Sequence, residues 1–197
     1  NHAHGNFLTR MAVIFSDKVF CTSPQSYTTK FKKTKIMPVG IDTNFFKPDP
    51  SVKREPNSIL FLGRISPIKK VLEFVGWFNT LDTKFSATIA GSALPKDEAY
   101  ETLVKSKASD RIKFIGSVTQ SEALKLYQNH ETYVNFTPAG SMDKTIFEAA
   151  SCGTKVMVKN PVLKILEDKT EEELRNFVVE NHSLSKLTLK LSEEING

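Results

Sequence analysis

Three charged residues stand where they could act on a phosphate-bearing ligand: Arg64, Lys69 and Glu148. Arg64 and Lys69 belong to the segment GRISPIKK, which directly follows the apolar run SILFL. The planar guanidinium group of an arginine can donate to two phosphate oxygens at once, and a lysine adds a compact positive charge. The two residues therefore predict an anion site, whereas two cations exposed in a solvent loop are the simpler alternative.

Glu148 lies in the stretch TPAGSMDKTIFEAASCGT, which we expect to form a polar loop and then a short helix that ends at Gly153. Apolar or small residues flank this carboxylate, and an unpaired buried charge is unfavourable, so Glu148 needs a partner such as a ligand hydroxyl. The free N–H groups at the start of the same helix favour a bound phosphate. The alternative is an ordinary surface pair between Lys144 and Glu148, one helical turn apart.

Alternating strand and helix patterns predict the scaffold that holds these residues. From residue 57 onward, apolar runs alternate with helical patterns of about 10–15 residues, which is typical of βαβ units in a parallel sheet. We therefore expect an α/β, Rossmann-like fold with helices on both faces of the sheet. The expected strands are SILFLGRI, FSATIAGS, RIKFIGSV, ETYVNFTP and KVMVK. Ligands of such sheets bind at the carboxyl ends of the strands, where Gly63, Gly91 and Gly116 stand.

The charge of the chain is compatible with an anionic ligand. The 197 residues carry a formal net charge of +5, which suits a phosphate-bearing ligand or an anionic membrane surface and does not demand nucleic acid. The densest basic cluster is either a solvated face or a contact with a membrane surface, and it comprises Lys30, Lys32, Lys33 and Lys35. The two cysteines, far apart in sequence, are expected to be buried thiols of a reducing compartment.

Several common catalytic signatures are missing from the sequence. GxGxxG, GxxxxGK[ST], GxSxG and HExxH do not occur. Their absence argues against a dinucleotide fingerprint, a P-loop, a serine hydrolase elbow and a zinc protease. The histidines are a terminal pair, His2 and His4, and the isolated His130 and His182, from which we predict no metal site.

The order of the segments resembles the C-terminal, donor-binding domain of family 4 glycosyltransferases (glycosyl transferases group 1), which have the two-domain GT-B fold. MPVGIDTNFFKP resembles the segment that leads into that domain, and LFLGRISPIKK resembles the segment whose Arg and Lys hold the donor diphosphate. Residues 111–129 resemble the loop beside the nucleobase, and residues 137–158 resemble the pattern P…E.FG….EA.A.G.PV. Residues 181–191 resemble the final helix of the family.

The resemblance implies that the chain binds a nucleotide sugar, UDP- or GDP-linked, and uses neither a metal nor another cofactor. Arg64 and Lys69 would neutralise the diphosphate leaving group, and Glu148 would accept hydrogen bonds from the ribose hydroxyls, so these three are the expected catalytic residues. Further residues would bind the donor through its base, its sugar and its phosphates: Gly63, Gly116, Ser117, Val118, Gly140, Ser141, Met142, Asp143, Lys144 and Thr145.

The sequence departs from the family pattern at two positions. The family carries two Glu residues eight positions apart, but the residue eight positions before Glu148 is Gly140. Asp143 is the nearby carboxylate that could substitute for the missing one. The glycine that follows the lysine of the family is replaced here by Lys70.

The resemblance also implies a domain organisation: residues 1–36 as the tail of an N-terminal acceptor domain, 37–57 as a linker and 58–197 as the nucleotide-sugar-binding domain. The expected activity is transfer of a hexose, with retention of configuration, to a saccharide or lipid-linked acceptor in polysaccharide biosynthesis. Because most of the acceptor domain is missing, we expect this chain alone to be incomplete for turnover.

The resemblance implies a cytoplasmic protein, with a peripheral contact at the inner face of the membrane as a further expectation. Two alternatives stay open at this point. One is a non-catalytic nucleotide-sugar-binding or assembly module, indicated by Gly140 at the position of the family's first Glu. The other is a sugar-nucleotide epimerase of the same fold. A phosphorylase is less compatible with the sequence, because it shows no cofactor lysine motif.

Overall fold

The N-terminal segment forms a small α/β unit in the computed structural model, which describes residues 5–138, 140 and 142–196. Helix α1 spans Phe7–Ile14, and strands β1 (Val19–Cys21) and β2 (Thr34–Ile36) pair in parallel. The apolar spacing of NFLTRMAVIFS predicts a helix over residues 6–16, and α1 confirms it. The pattern PQSYTTKFKK predicts a helix over residues 24–33, but this prediction is wrong, because only one 3-10 turn, Tyr27–Lys30, forms there.

The side chain of Thr29 gives a physical reason for this short turn. Its hydroxyl donates to the carbonyl oxygens of Pro24 and Ser26, at 3.2 and 2.7 Å. Hydrogen bonds of this kind from threonine to nearby backbone compete with helix continuation.

A second, five-stranded parallel sheet forms the centre of the fold, as the strand pattern predicts. Its order is β5-β4-β3-β6-β7, so the first strand of this unit lies in the middle. The chain winds outward from β3 to one edge and then crosses to β6 on the other side. The switch point between β3 and β6 is the place where open α/β sheets form a ligand crevice. The strands are β3 (Glu55–Leu62), β4 (Ser86–Ala90), β5 (Ile112–Gly116), β6 (His130–Asn135) and β7 (Lys155–Val158).

Helices cover both faces of this sheet, as predicted. Alternate residues of β3 enter two separate cores, since side chains of a strand point to opposite faces. Ile59 and Phe61 pack with α2 and α3, whereas Leu60 packs with α4, α5 and α6. The helices are α2 (Val71–Asn79), α3 (Glu98–Lys107), α4 (Gln120–Asn129), α5 (Lys144–Ser151), α6 (Glu171–His182) and α7 (Leu184–Asn196).

Two expected helices differ in the structure. The pattern PVLKILED predicts a helix, but residues Pro161–Leu166 form a 3-10 segment that Asn160 caps. The pattern PIKKVLEFVGWFNTL predicts a helix from Pro67. The helix begins only at Val71, because Pro67–Lys69 form a 3-10 turn and Lys70 adopts a left-handed conformation. This second difference moves Lys69 out of the helix and into the loop that follows β3.

Candidate functional site

Glycines bring the ends of the three strands on one side of the switch point close together. The Gly63 N–H donates to Ala90 O at 2.9 Å, and the Gly91 N–H donates to Gly116 O at 2.6 Å. Gly91 has a φ of +140°, and a Cβ atom there would overlap the carbonyl oxygen of Gly63. The sequence therefore needs glycine at Gly91 so that the loop after β3 can cross the end of β4.

The two predicted diphosphate ligands, Arg64 and Lys69, lie in this loop but differ in their surroundings. The side chain of Arg64 is exposed and makes no hydrogen bond or ion pair with any residue that the structure describes. The side chain of Lys69 is only 19% exposed, and its ammonium group forms an ion pair with Asp143 Oδ2. Arg64 is therefore ready to bind an anion, whereas Lys69 already has a carboxylate partner.

Asp143 belongs to the loop after β6, so its ion pair with Lys69 spans the switch point. Its Oδ2 atom also accepts a hydrogen bond from Asn135 Nδ2 at 3.1 Å and a longer one from Thr137 Oγ1 at 3.4 Å. Asn135 is itself fixed, because its Oδ1 atom accepts from the Thr137 N–H at 2.9 Å. Three donors thus hold one oxygen of this carboxylate.

The start of α5 keeps backbone donors free as a result. Asp143 is the N-cap residue of α5, yet its side chain makes no capping hydrogen bond. Within the described residues, no acceptor is found for the N–H groups of Lys144 and Thr145. The free N–H groups of a helix start carry partial positive charge and favour an anion.

A chain of hydrogen bonds ends at the hydroxyl oxygen of Thr145, which accepts in it. Asn135 Nδ2 donates to the Tyr133 hydroxyl at 3.0 Å, and that hydroxyl donates to Thr145 Oγ1 at 2.6 Å. Tyr133 is fully buried, and burial raises the pKa of its phenol, which stays protonated. Because Thr145 accepts in this chain, its own hydroxyl hydrogen remains available to a phosphate oxygen.

Glu148 lies one helical turn further along α5 and is largely buried. Its Oε2 atom accepts a hydrogen bond from the Tyr127 hydroxyl at 3.0 Å. Burial raises the pKa of Glu148, while the hydrogen bond from Tyr127 and the charge of Lys144 lower it. No ion pair joins Lys144 to Glu148 in the described part of the chain, so the surface-pair alternative does not describe this carboxylate.

The structure describes most of the residues expected beside the base and the sugar. A pocket of about 310 Å³ lies at the end of β5, and Ser117 and Val118 are among its lining residues. Gly116 has a φ of +74°, and the Ser117 hydroxyl donates to Ser92 Oγ at 3.1 Å. Gly140 is buried with a φ of +98°, and Met142 packs against the core below α5. Ser141 lies outside the described residues.

The sequence motifs do not predict three members of this site, Asn135, Thr137 and Tyr127. Asn135 and Thr137 end an otherwise apolar strand, YVNFT, and polar residues at that point of a parallel strand are a usable signal. Tyr127 gave no signal, since its contact with Glu148 joins two helices. Among the described residues, no group of His, Cys, Asp or Glu side chains is arranged to hold a metal ion.

The basic cluster near residue 33 makes contacts within the chain. The Lys33 ammonium group donates to Ile14 O and Ser16 O, at the end of α1, at 3.3 and 2.6 Å. Lys35 forms an ion pair with Glu194 at 3.4 Å, and Lys30 lies over the ring of Tyr27. None of the helices in the described ranges is both long and apolar enough to cross a membrane.

The fold of this chain is that of the GT-B glycosyltransferases. The structure of Anabaena HepE with UDP and glucose superposes with a TM-score of 0.79 at 17% identity, over 95% of this chain and 65% of that one. Sucrose-phosphate synthase from Thermosynechococcus elongatus superposes with a TM-score of 0.76 at 18% identity, over 96% of this chain and 60% of that one. AviGT4, a glycosyltransferase of avilamycin A biosynthesis, superposes with a TM-score of 0.74 at 18% identity, over 89% of this chain and 61% of that one. At these identities the likeness shows the fold.

The family follows from the sequence itself. The model of the family Glycosyl transferases group 1 matches residues 56–194, so the chain belongs to that family. No curated protein matches the chain in sequence. The chain spans less than two thirds of the length of these three structures.

Proposed function

We propose that this chain supplies the donor-binding part of a nucleotide-sugar-dependent glycosyltransferase. The observation that carries the proposal is the convergence, at the switch point of the sheet, of groups suited to a nucleoside diphosphate. Arg64 is an unpaired cation in the described structure, and the N–H groups of Lys144 and Thr145 are free at a helix start. Glu148 lies one helical turn beyond them, where it can accept hydrogen bonds from ribose hydroxyls.

The arrangement would stabilise the leaving group of sugar transfer. As the bond between the sugar and the diphosphate breaks, negative charge grows on the phosphate oxygens. Arg64, Lys69 and the start of α5 would offset that charge, and preorganised electrostatic stabilisation of this kind is usually the largest contribution to catalysis. We further propose a hexose donor, retention of configuration and no metal requirement. UDP is the favoured nucleotide, because the Anabaena HepE structures contain UDP or UDP-glucose.

The acceptor would bind to a second unit that completes the protein. The small N-terminal unit supports this proposal, because α1 and the residue that follows it expose 63–80% of the surface of four large apolar side chains, Phe7, Leu8, Ile14 and Phe15. A two-stranded parallel sheet is also unusual by itself, since parallel sheets are normally covered on both faces. Additional polypeptide that extends this sheet would bury those residues and carry the site for a saccharide or lipid-linked acceptor.

Calorimetric titration tests the donor site. In the presence of EDTA, we expect the chain to bind one of UDP, GDP and ADP in the micromolar to millimolar range. Arg64→Ala should weaken that binding at least tenfold while leaving thermal stability unchanged. Arg10→Ala is the matched control, because it removes another exposed arginine from the distant N-terminal unit. An unchanged dissociation constant in Arg64→Ala would refute the diphosphate assignment.

A non-catalytic binding module is the second candidate, and the glycine at Gly140 favours it. A family member with a carboxylate at that position has one more group directed at the donor sugar, which this chain lacks. The two candidates differ in turnover. A protein completed with an acceptor-binding unit should release nucleoside diphosphate from the donor if it is an enzyme, whereas a module would bind the donor and leave it intact.

A further inference from the structure

The ion pair between Lys69 and Asp143 occupies a group that the proposed diphosphate site needs. Three cations, Arg64, Lys69 and Lys70, lie between β3 and α2, and the ammonium group of Lys69 contacts Asp143 Oδ2. Both side chains are largely buried, at 19% and 15% exposure, so the attraction between them is less screened than at an exposed surface. With the pair intact, Arg64 is the one cation between β3 and α2 without a carboxylate partner among the described residues, because Lys70 pairs with Glu73.

The Asp143 carboxylate is positioned for Lys69 and not for its own helix. An aspartate at an N-cap normally accepts a hydrogen bond from the N–H groups of the first helical turn. In this chain it makes no such bond, and Asn135 and Thr137 instead hold its Oδ2 atom beside the ammonium group. Asn135 and Thr137 are buried at 4% and 6% exposure, so this support is part of the folded core.

We propose that Asp143 is a resting-state counter-ion that the phosphates of the ligand displace. This inference rests on the proposed function, because it assigns a regulator of affinity to the same diphosphate site. Without ligand, Asp143 neutralises Lys69 and holds it across the switch point. When a nucleoside diphosphate binds, the ammonium group moves from the carboxylate to a phosphate oxygen. Each binding event therefore includes the loss of one ion pair, which lowers affinity and favours release of the diphosphate product.

The same carboxylate also acts on the other end of the site. The negative charge of Asp143 raises the pKa of Glu148, in addition to the larger effect of burial. A ligand that draws Lys69 away leaves Asp143 without its cation, so the charges of Asp143 and Glu148 then oppose each other more strongly. This repulsion adds to the loss of the ion pair and favours dissociation of the ligand.

Titration of Asp143→Asn with UDP, GDP and ADP tests the proposal. Asparagine keeps the size of the side chain and an oxygen that Asn135 can donate to, but it does not hold Lys69 by charge. We expect Asp143→Asn to bind the preferred diphosphate about 5- to 20-fold more tightly than the wild-type chain at low salt. Equal or weaker binding in Asp143→Asn, with the wild-type chain binding normally, would overturn the counter-ion role and leave the donor site itself standing.

The Lys69→Met background separates displacement of Lys69 from a general effect of charge. If Asp143 acts through Lys69, the gain from Asp143→Asn should fall to twofold or less once Lys69 is replaced. An equal gain in both backgrounds would show simple repulsion between Asp143 and phosphate, and would refute the proposal. Absence of binding in the wild-type chain and in Asp143→Asn alike would refute both the donor site and this inference.

Discussion

The hydroxyl of Tyr127 donates to Glu148 Oε2 at 3.0 Å, and this is the hydrogen bond that the structure gives to the largely buried carboxylate. The bond joins α4 to α5 and leaves the other oxygen, Oε1, without a partner among the described residues. A buried carboxylate with one satisfied oxygen is a cost to folding that a ligand hydroxyl could reduce. Oε1 of Glu148 can therefore accept a hydrogen bond from a ligand.

Glu148→Gln should stabilise the free protein at neutral pH. Burial raises the pKa of Glu148 above its ordinary value of 4.5, so its stabilising contribution is complete below that value and is lost as the pH rises through the raised pKa. Glutamine removes the charge and keeps an acceptor for Tyr127. We expect the free energy of unfolding to rise by about 0.5–2 kcal/mol at pH 7, with no gain near pH 4. Urea unfolding at both pH values measures this.

The same substitution should weaken ligand binding, and the ribose hydroxyls provide the control. Hydrogen bonds to a charged group contribute roughly 1.5–3 kcal/mol each, so Glu148→Gln should weaken binding of the ribonucleoside diphosphate about tenfold or more. Binding of the 2′,3′-dideoxy analogue should change little. Equal losses for the two ligands would mean that Glu148 does not contact the ribose.

Lys70→Gly should stabilise the chain. Lys70 adopts φ +57° and ψ +36° between the 3-10 turn and α2, and a side chain in this left-handed region costs about 1–2 kcal/mol relative to glycine. The substitution also removes an exposed ion pair with Glu73, which contributes little. After allowance for the greater freedom of glycine in the unfolded chain, we expect a net gain of about 0.5–1 kcal/mol in denaturant unfolding.

Asn57→Gly is a suitable control for this prediction. Asn57 has the same φ of +57°, but asparagine tolerates the left-handed region, so its replacement should change stability less than that of Lys70. A destabilised Lys70→Gly variant would show that the lysine side chain contributes more than its backbone costs. The left-handed geometry also explains why a glycine at this position is the simpler choice for the fold.

Arg54 connects the ends of two helices, and its loss should be strongly destabilising. Its Nη1 atom donates to Tyr127 O at 2.7 Å and to His130 O at 3.0 Å, and Nη2 donates to Cys152 O at 2.8 Å. Arg54→Met removes the guanidinium donor from His130 O and Cys152 O, whereas Tyr127 O keeps its hydrogen bond from Thr154 Oγ1 at 2.6 Å. We expect a loss of about 3 kcal/mol in the free energy of unfolding. Arg54→Lys should recover less than half of this lost free energy of unfolding, because an ammonium group cannot reach all the acceptors that a planar guanidinium group contacts.

The neighbouring cation is the control for Arg54. Lys53 is exposed and precedes Arg54 directly, so Lys53→Met makes the same change of charge at the same point of the chain. Its effect should stay within about 0.5 kcal/mol, as for most surface substitutions. Similar losses in the two variants would mean that charge near β3, and not the hydrogen bonds of Arg54, accounts for the effect.

Local sequence patterns predict much of this fold, because strand and helix periods are local properties. The alternation from residue 57 predicts the five strands and places Arg64 and Lys69 at the carboxyl edge of the sheet. It cannot predict that Lys69 pairs with Asp143, because the two are far apart in sequence and the pair depends on the strand order. An aspartate before a helix also predicts a cap, and only the neighbouring Asn135 and Thr137 explain why Asp143 turns to Lys69 instead.

The last prediction concerns His182, which lies at the end of α6, where its carbonyl oxygen accepts from the N–H groups of Gly40 and Ile41. Its Nδ1 atom accepts a hydrogen bond from the Val39 N–H at 3.3 Å, and its ring lies against those of Phe147 and Phe177. Burial lowers the pKa of His182 from 6.5 to about 4. The neutral ring is therefore favoured in the folded chain, and its contribution is complete above pH 6.5 and is lost as the pH falls toward 4.

His182→Asn should reduce the fall in the free energy of unfolding between neutral and acid pH. The asparagine oxygen can accept from the Val39 N–H but does not titrate. Because the ring is partly exposed, we discount the effect of the lowered pKa and expect the wild-type chain to lose about 1–2 kcal/mol more than His182→Asn between pH 7.5 and pH 4. His130 is also buried with a lowered pKa, but it is present in both proteins and cancels in the comparison. An equal dependence of the free energy of unfolding on pH in the two proteins would contradict this prediction. It would show that His182 is protonated in the folded chain at no cost in stability, despite its contacts with two phenylalanine rings.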